Sequence, residues 1–235
     1  MDGKPKDKKE LQEQLGQLDG FTHFSDMELK EMLAQARVDT WKKGAQSFQG
    51  DKTLHRFYIV LSGRVKMYQI DAKTGKEYTL FINSPGDFFD IICLLDGQRH
   101  EIEIEALDPI TLLSTPMADA REWIKKHPNF NRLLLPYIAK KMRTLEEKAN
   151  DLALFDTWAR TLKLFVKHAG ANAHDSELKL INNLSHSEIA KIIGTSKNVI
   201  NRHIQKLKED HILHVSHKHI SIKDMQGLLS RFRHR

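Results

Sequence analysis

The stretch "IIGTSKNVINRHI", Ile192 to Ile204, and the residue after it include Lys197, Asn198, Asn201, Arg202 and Gln205, all able to donate hydrogen bonds. They fall on the outer face of a helix whose inner face is Ile200, Ile204 and Leu207, at spacings of 4 and 3. Lys and Arg suit guanine O6 and N7, and Asn suits adenine N6 and N7. Such a face has the chemistry to read base edges in a DNA major groove. The charge points the same way. The chain has 235 residues and a formal net charge of +6. From Leu184 to Arg235 ten Lys or Arg stand against four Asp or Glu, so the whole excess lies there and the rest is neutral. A basic domain on a neutral body is the footprint of a polyanion binder. Charge alone equally allows a solvated basic tail, since three of the bases fall in "RFRHR".

The elements that must hold this face are legible nearby. Ser185 with Glu188 reads as a capping box opening a short helix, with Ile189, Ala190 and Ile193 turned inward. Gly194 can take the left-handed conformation that ends it, and Ser196 caps the next helix. Two helices joined by a three-residue turn, the second presenting polar donors, make a helix-turn-helix with a recognition helix. "ILHVSHKHISI" then supplies a β-hairpin wing. His217 and His219 share a strand face there, with His214 close by, but no carboxylate or cysteine completes a metal set. They read as wing histidines near phosphate, and no metal site is assigned.

Upstream the texture differs. Hydrophobic residues make up 40% and charged residues 29%, as in a soluble globular protein. No run approaches the ~18 apolar residues of a membrane span. "MDGKPKDKKE" has no apolar run behind it, which argues against a secretory signal, and the single Cys93 fits a reducing cytoplasm. Residues 1–20 read as a loose charged arm with a short helix. Ser25 with Glu28 is another capping box, followed by Met27, Leu29 and Met32 as apolar positions. From Thr40 to Pro116, short β-rich runs and glycines at 44, 50, 63, 75, 86 and 97 argue for a small β-barrel or roll. "DAKTGKE" reads as a hairpin loop. A helical period follows. Leu135, Ile138, Met142, Leu145, Ala149 and Leu152 recur at spacings of 3, 4, 3, 4 and 3, a seam that a second copy of the chain would bury. The alternative is that the seam packs on its own β-domain. Pro136 either kinks this helix or marks its first turn. "DTWARTLKLFVKHAG" is a further amphipathic helix, ended by Gly170.

These segments in this order resemble the cyclic-AMP receptor protein / fumarate-nitrate regulator (Crp/Fnr) superfamily of bacterial transcription factors. "LSHSEIAKIIGTSKNVINRHIQKLKEDHIL" is similar to its helix-turn-helix, "KKMRTLEEKANDLALFDTWAR" to its dimerisation helix and hinge, and "FYIVLSGRVKMYQIDAKTGKEYTLFINSPGDFF" to its β-roll sensor. The resemblance covers the chain from about Phe21 to Asp224 and implies, behind the charged arm at 1–20, an α+β chain: a β-roll of the cyclic-nucleotide-binding jelly-roll type at 21–128, a dimerisation helix and hinge at 129–156, and a winged helix-turn-helix at 157–235. It implies a homodimer on double-stranded DNA, with RNA polymerase as a further partner. It places Lys197, Asn198 and Arg202 at bases, Ser185, His186 and Ser196 near phosphates, and Lys218 in the wing. Family members that read the best-known operator carry Arg-Glu where this chain has Lys197-Asn198, so a different operator is expected.

Cyclic-nucleotide members hold the ribose with a Gly-Glu pair and the phosphate with an Arg-Ser pair. By the resemblance these positions fall on Asp90-Ile91 and His100-Glu101, with Arg99 one residue away. Isoleucine cannot accept from a ribose hydroxyl, and Glu101 would repel a phosphate. The adenine-contacting pair falls on Leu145-Glu146. Cyclic AMP is therefore disfavoured. With one cysteine no iron–sulfur cluster is expected. Phe88, Phe89, Ile91, Ile92 and Leu94 suit heme or another apolar effector, although ordinary core is the better-supported reading of the same residues. The cofactor stays unassigned. No Gly-rich phosphate loop, nucleophile elbow or paired metal motif suggests an enzyme. The competing reading is a small-molecule-binding module whose C-terminal domain contacts protein.

Overall fold

The structure, a computed structural model, describes residues 8–46, 54–169, 176–177, 180–216 and 219–233. They fall into two compact units. The first runs up to Gln69 and resumes over Phe81–Arg143; the second joins Ile70–Leu80 to the chain from Thr144 onward.

The first unit opens with helices α1 (Lys8–Gly16) and α2 (Asp26–Leu33). Strands β1 (Arg37–Trp41), β2 (Arg56–Ser62), β3 (Val65–Ile70), β4 (Glu77–Asn83) and β5 (Phe88–Phe89) follow. Next come a short helix α3 (Ile91–Asp96), strands β6 (Glu103–Ala106) and β7 (Ile110–Pro116), and helix α4 (Met117–Lys126). The expected roll is two sheets, ordered β1-β7-β2-β5 and β4-β3-β6. Its longest ladder is antiparallel β2 on β7, where "RFYIVLS" supplies the aromatic and β-branched residues that suit a pleated surface. Gly63 must turn β2 into β3 at φ 79°, and a Cβ there would lie 2.5 Å from Pro109 O.

The sheets close on helices through aromatic rings. Phe57 of β2 meets Trp123 of α4 edge-on at 6.4 Å, and Trp123 meets Phe130 at 5.5 Å. Phe130 belongs to α5 (Pro128–Leu154), which Pro128 opens at the position where a missing N–H is cheapest. Pro136 lies inside this helix, more than two turns past its start, so it does not mark the first turn. Tyr137 of α5 packs on Phe88 at 4.7 Å. Beside it, half-buried Lys141 donates to Asn83 Oδ1 at 2.8 Å and lies 3.3 Å from Asp87 Oδ1. Burial pushes this ammonium below its usual range, with Asp87 opposing.

Two expectations need correcting here. The N-terminal arm is not loose from Lys8 onward. Leu11 and Leu15 of α1 are buried in the same core as Phe21, Leu29 and Phe57, because a helix with apolar residues one turn apart has a face to bury. In α2 the capping box forms, with Glu28 N donating to Ser25 Oγ at 3.3 Å and Ser25 N to Glu28 Oε2 at 2.9 Å. Met27, however, is 71% exposed, and Leu33 takes the third inward place with Leu29 and Met32.

The second unit holds the tip of the β3–β4 hairpin, where Gly75 N donates to Asp71 O and Asp71 Oδ1 accepts from Lys73 N and Thr74 N. It adds the last turns of α5, then α6 (Thr157–His168), capped by Asp156. Gly170, expected to end α6, lies outside the described residues. Strand β8 (Ser176–Glu177) precedes α7 (His186–Ile193), α8 (Lys197–Glu209), β9 (Leu213–Ser216), β10 (His219–Ile222) and α9 (Met225–Arg233). The small sheet is β8-β10-β9. The C-terminal "tail" is thus a helix as far as Arg233. Its Leu228 is fully buried, Asp224 Oδ1 caps Gly227 N at 2.8 Å, and Arg231 pairs with Asp210 at 2.9 Å.

Replacing Leu15 by Ala should destabilise the chain by about 2–5 kcal/mol, the usual cost of emptying a core site. Urea unfolding followed by circular dichroism measures it. A value indistinguishable from the unsubstituted protein would mean that α1 is no part of the core.

Candidate nucleic-acid interface

Helix α7 begins at Ser185, whose Oγ accepts from Glu188 N at 3.2 Å, while the Glu188 carboxylate takes Lys191 at 3.0 Å. It ends at Gly194, which takes φ 69°, ψ 46°. There Gly194 N and Thr195 N both donate back to Ala190 O, so the chain reverses within one residue. Ser196 Oγ accepts from Val199 N at 3.4 Å and starts α8. Ile189, Ala190 and Ile193 of α7 and Ile200, Ile204 and Leu207 of α8 are buried, as their spacing requires.

Lys197, Asn198, Asn201, Arg202 and Gln205 are all exposed, together with Ser196. Ser185 and His186 are half-buried at the start of α7. The helix-turn-helix therefore gathers these eight residues on its open side. His186 Nδ1 lies 2.7 Å from Asn201 Oδ1, and Gln205 Nε2 donates to Glu209 Oε1 at 2.9 Å. The wing pairs Ser216 with His219, and Lys218 and His217 between them lie outside the described residues.

Other contacts hold α8 that the periodicity did not point to. His203 Nδ1 lies 2.9 Å from Thr161 Oγ1, and its ring meets Trp158 of α6 edge-on at 5.0 Å. Burial and the Arg202 charge hold this imidazole below its usual value. Lys206 sits over the Trp158 ring at 5.0 Å. Helix α7 is braced by Lys191, 2.8 Å from Glu77 of the hairpin tip. A Cβ on Gly194 would lie 3.1 Å from Leu152 Cδ2 and 3.4 Å from a Tyr78 ring carbon. Nothing in the linear pattern ties residues 77 and 78 to this turn.

The expected effector residues are arranged as core and as an internal polar cluster. Phe88 and Phe89 are buried, Phe89 stacked on Tyr58 at 5.0 Å, whereas Ile92 is 47% exposed and lines no interior. Ile91 is half-buried against the core, and Arg99, Glu101 and Leu145 are exposed. Asp90 is buried. Its Oδ1 caps α3 by accepting from Ile92 N at 3.0 Å, and its Oδ2 lies 2.8 Å from His100 Nδ1 and 3.3 Å from Cys93 Sγ. The two positions matched to the ribose and phosphate pairs thus satisfy each other. The Asp90 hydrogen bond holds His100 above the ordinary 6.5, although burial opposes it.

Along the α5 seam, Leu135 is 65% and Met142 66% exposed, and Leu145, Ala149 and Leu152 are exposed too. Ile138 departs from the expectation: it packs partly on its own core, next to Tyr137.

A winged helix-turn-helix with an exposed polar face on α8, on a chain with a β-roll, has the form of a DNA-binding regulator with a sensor-type domain. Two families match accordingly: the cyclic nucleotide-binding domain over residues 39–127 and the Crp-like helix-turn-helix domain over residues 159–231. Both domains, in this order, are those of Crp/Fnr-type regulators, a family of transcription regulators and not enzymes. Among similar proteins, the global nitrogen regulator of Synechocystis sp. is 26% identical over 83% of this chain and 88% of its own length. The CRP-like cAMP-activated global transcriptional regulator of Mycobacterium tuberculosis is 24% identical over 86% and 91%. A CooA variant from Carboxydothermus hydrogenoformans shares the fold with a TM-score of 0.72 at 22% identity, covering 89% of this chain and 91% of that one.

Gly194→Ala should destabilise the second unit by about 1–2 kcal/mol, the left-handed penalty plus the contacts of its new Cβ. Denaturation of the full chain reads it out; an unchanged midpoint refutes it. His100 gives a pH dependence. Its pKa is raised in the fold, so its contribution is complete below the ordinary 6.5 and is lost as pH rises through the raised value. His100→Ala should remove that slope from urea midpoints measured across neutral pH, and an undiminished slope would disprove the linkage.

Proposed function

We propose that the chain is a cytoplasmic homodimeric regulator that reads a near-palindromic operator through α8 and answers to an effector other than cyclic AMP. In this reading residues 21–128 sense, 129–156 dimerise and 157–235 bind DNA. The observation that carries it is the open face of α8. Five polar side chains, two of them cationic, stand exposed on a helix held at a fixed turn from its neighbour. Lys197, Asn198 and Arg202 face bases, while Ser185 and Ser196 lie at phosphates, where helix N-termini add backbone donors. Lys218 of the wing joins the phosphate set. The exposed Leu135, Met142, Leu145 and Leu152 supply the dimer seam, and a two-fold dimer implies half-sites about one helical turn apart. RNA polymerase is the partner through which such a dimer acts.

The Mycobacterium tuberculosis relative is named as cAMP-activated. Against that effector here stand Ile91 and Glu101 at ligand positions, the exposed Leu145, and an Asp90 already engaged by His100 and the α3 cap. A carboxylate buried at that place opposes a phosphate.

In vitro selection on random duplexes tests the reading, and an inverted repeat is the expected result. Arg202→Ala should weaken binding by roughly 1–3 kcal/mol and relax one base pair in each half-site. A motif without a repeat, or undiminished stringency in Arg202→Ala, overturns it. Calorimetry with cyclic AMP should give no heat of binding.

A further inference from the structure

Three side-chain amides lie on the exposed face of α8: Asn198, Asn201 and Gln205. An amide offers DNA two donors at its nitrogen and an acceptor at its oxygen. Adenine is read bidentately only when both ends face it, the oxygen accepting from N6 and the nitrogen donating to N7. Asn201 is not free to present both. Its Oδ1 lies 2.7 Å from Nδ1 of His186, in the first turn of α7. A carbonyl oxygen only accepts, so the ring nitrogen carries the proton and donates. This turns the oxygen of Asn201 toward α7 and leaves its amide hydrogens for solvent or DNA.

We infer that His186 is a positioning residue that holds Asn201 as a donor, so that Asn201 meets an acceptor on DNA and does not read adenine. The acceptor is a phosphate oxygen or the O6 or N7 of a guanine. This rests on the proposed reading of α8 as the DNA-facing helix. It also changes the part expected of His186. With Nδ1 donating to Asn201, the ring is committed to α8 through that nitrogen. His186 then acts on DNA through Asn201. The lock spans the turn at Gly194, so it links the two helices at the surface as Ile189, Ile193, Ile200 and Ile204 do in the interior. Gln205 is engaged differently, through its nitrogen, by Glu209 one turn along the same helix. An exposed pair of that kind is weak, and the inference concerns Asn201 alone.

The test is a double-mutant cycle on the full chain, with the duplex that the unsubstituted protein selects. Asn201→Ala and His186→Ala should each weaken binding by roughly three- to tenfold, the worth of one hydrogen bond. The double variant should bind no more weakly than either single one. His186→Asn, which keeps a donor near the place of Nδ1, should bind within about twofold of the unsubstituted protein. Circular dichroism melts of all four variants check that the fold is kept. Selection with Asn201→Ala separates the acceptors. A uniform loss over all sequences identifies a phosphate, and loss of a guanine at one position identifies a base; both support a donor. Losses that multiply in the double variant, failure of His186→Asn to rescue, or an adenine selected by the unsubstituted protein and lost in Asn201→Ala would each overturn the lock. Arg202→Ala run in parallel separates the two levels. If it too binds unchanged, the reading of α8 falls and the lock with it; if it binds weakly while the cycle is additive, only the lock falls.

Discussion

The angle between α7 and α8 is set by one backbone constraint. Gly194 adopts a left-handed conformation, and both it and Thr195 return their N–H groups to Ala190 O. That closure leaves only Ser196 before the next helix, so the first turn of α8 is fixed relative to the last turn of α7. The buried isoleucines then have a single way to interdigitate, and the polar face of α8 has a single way to be exposed. A residue with a side chain at 194 would meet Leu152 and Tyr78, so the turn is also confined from outside. The exposed polar face of α8, its cap at Ser196 and the bracing of α7 by Glu77 follow from this geometry.

The roll is organised by a different economy. Several of its interior polar groups share partners within the protein. Asp90 serves the α3 cap, His100 and Cys93 at once, and Lys141 is shared between Asn83 and Asp87 under the rings of Phe81 and Tyr137. A buried charge needs such partners because desolvation is otherwise too costly. The consequence for sensing is chemical. At Asp90 and His100 an incoming ligand would have to compete with bonds that the chain already makes.

Helix α5 joins two kinds of surface. Phe130, Leu134, Tyr137 and Ile138 pack on the roll, and Leu135 and Met142 stand in solvent. The inward set and the outward seam interleave at spacings of one to four residues, as expected where a helix has apolar residues on more than one stripe. This explains why Ile138 could be assigned to the seam from spacing and yet sits against its own core. Spacing fixes which residues share a face, and the width of the packed face decides where it ends.

The sequence by itself determined the elements whose causes are local. Capping residues at 25, 185 and 196, the glycine at 194, the alternation of the strands and the 4-and-3 spacing of Ile200, Ile204 and Leu207 each act within a few residues, so the roll and the helix-turn-helix were legible as elements. Tertiary structure decided what depends on partners far along the chain. That α1 docks through Leu15, that the basic C-terminus is a helix anchored by Leu228, and that Met27 faces solvent follow from which surfaces are available to cover each apolar residue. The pairings Asp90 with His100, Glu77 with Lys191 and Trp158 with His203 likewise have no local signal. Side chains that meet across 10 to 114 positions of sequence are brought together only when burial of the elements between them fixes their distance.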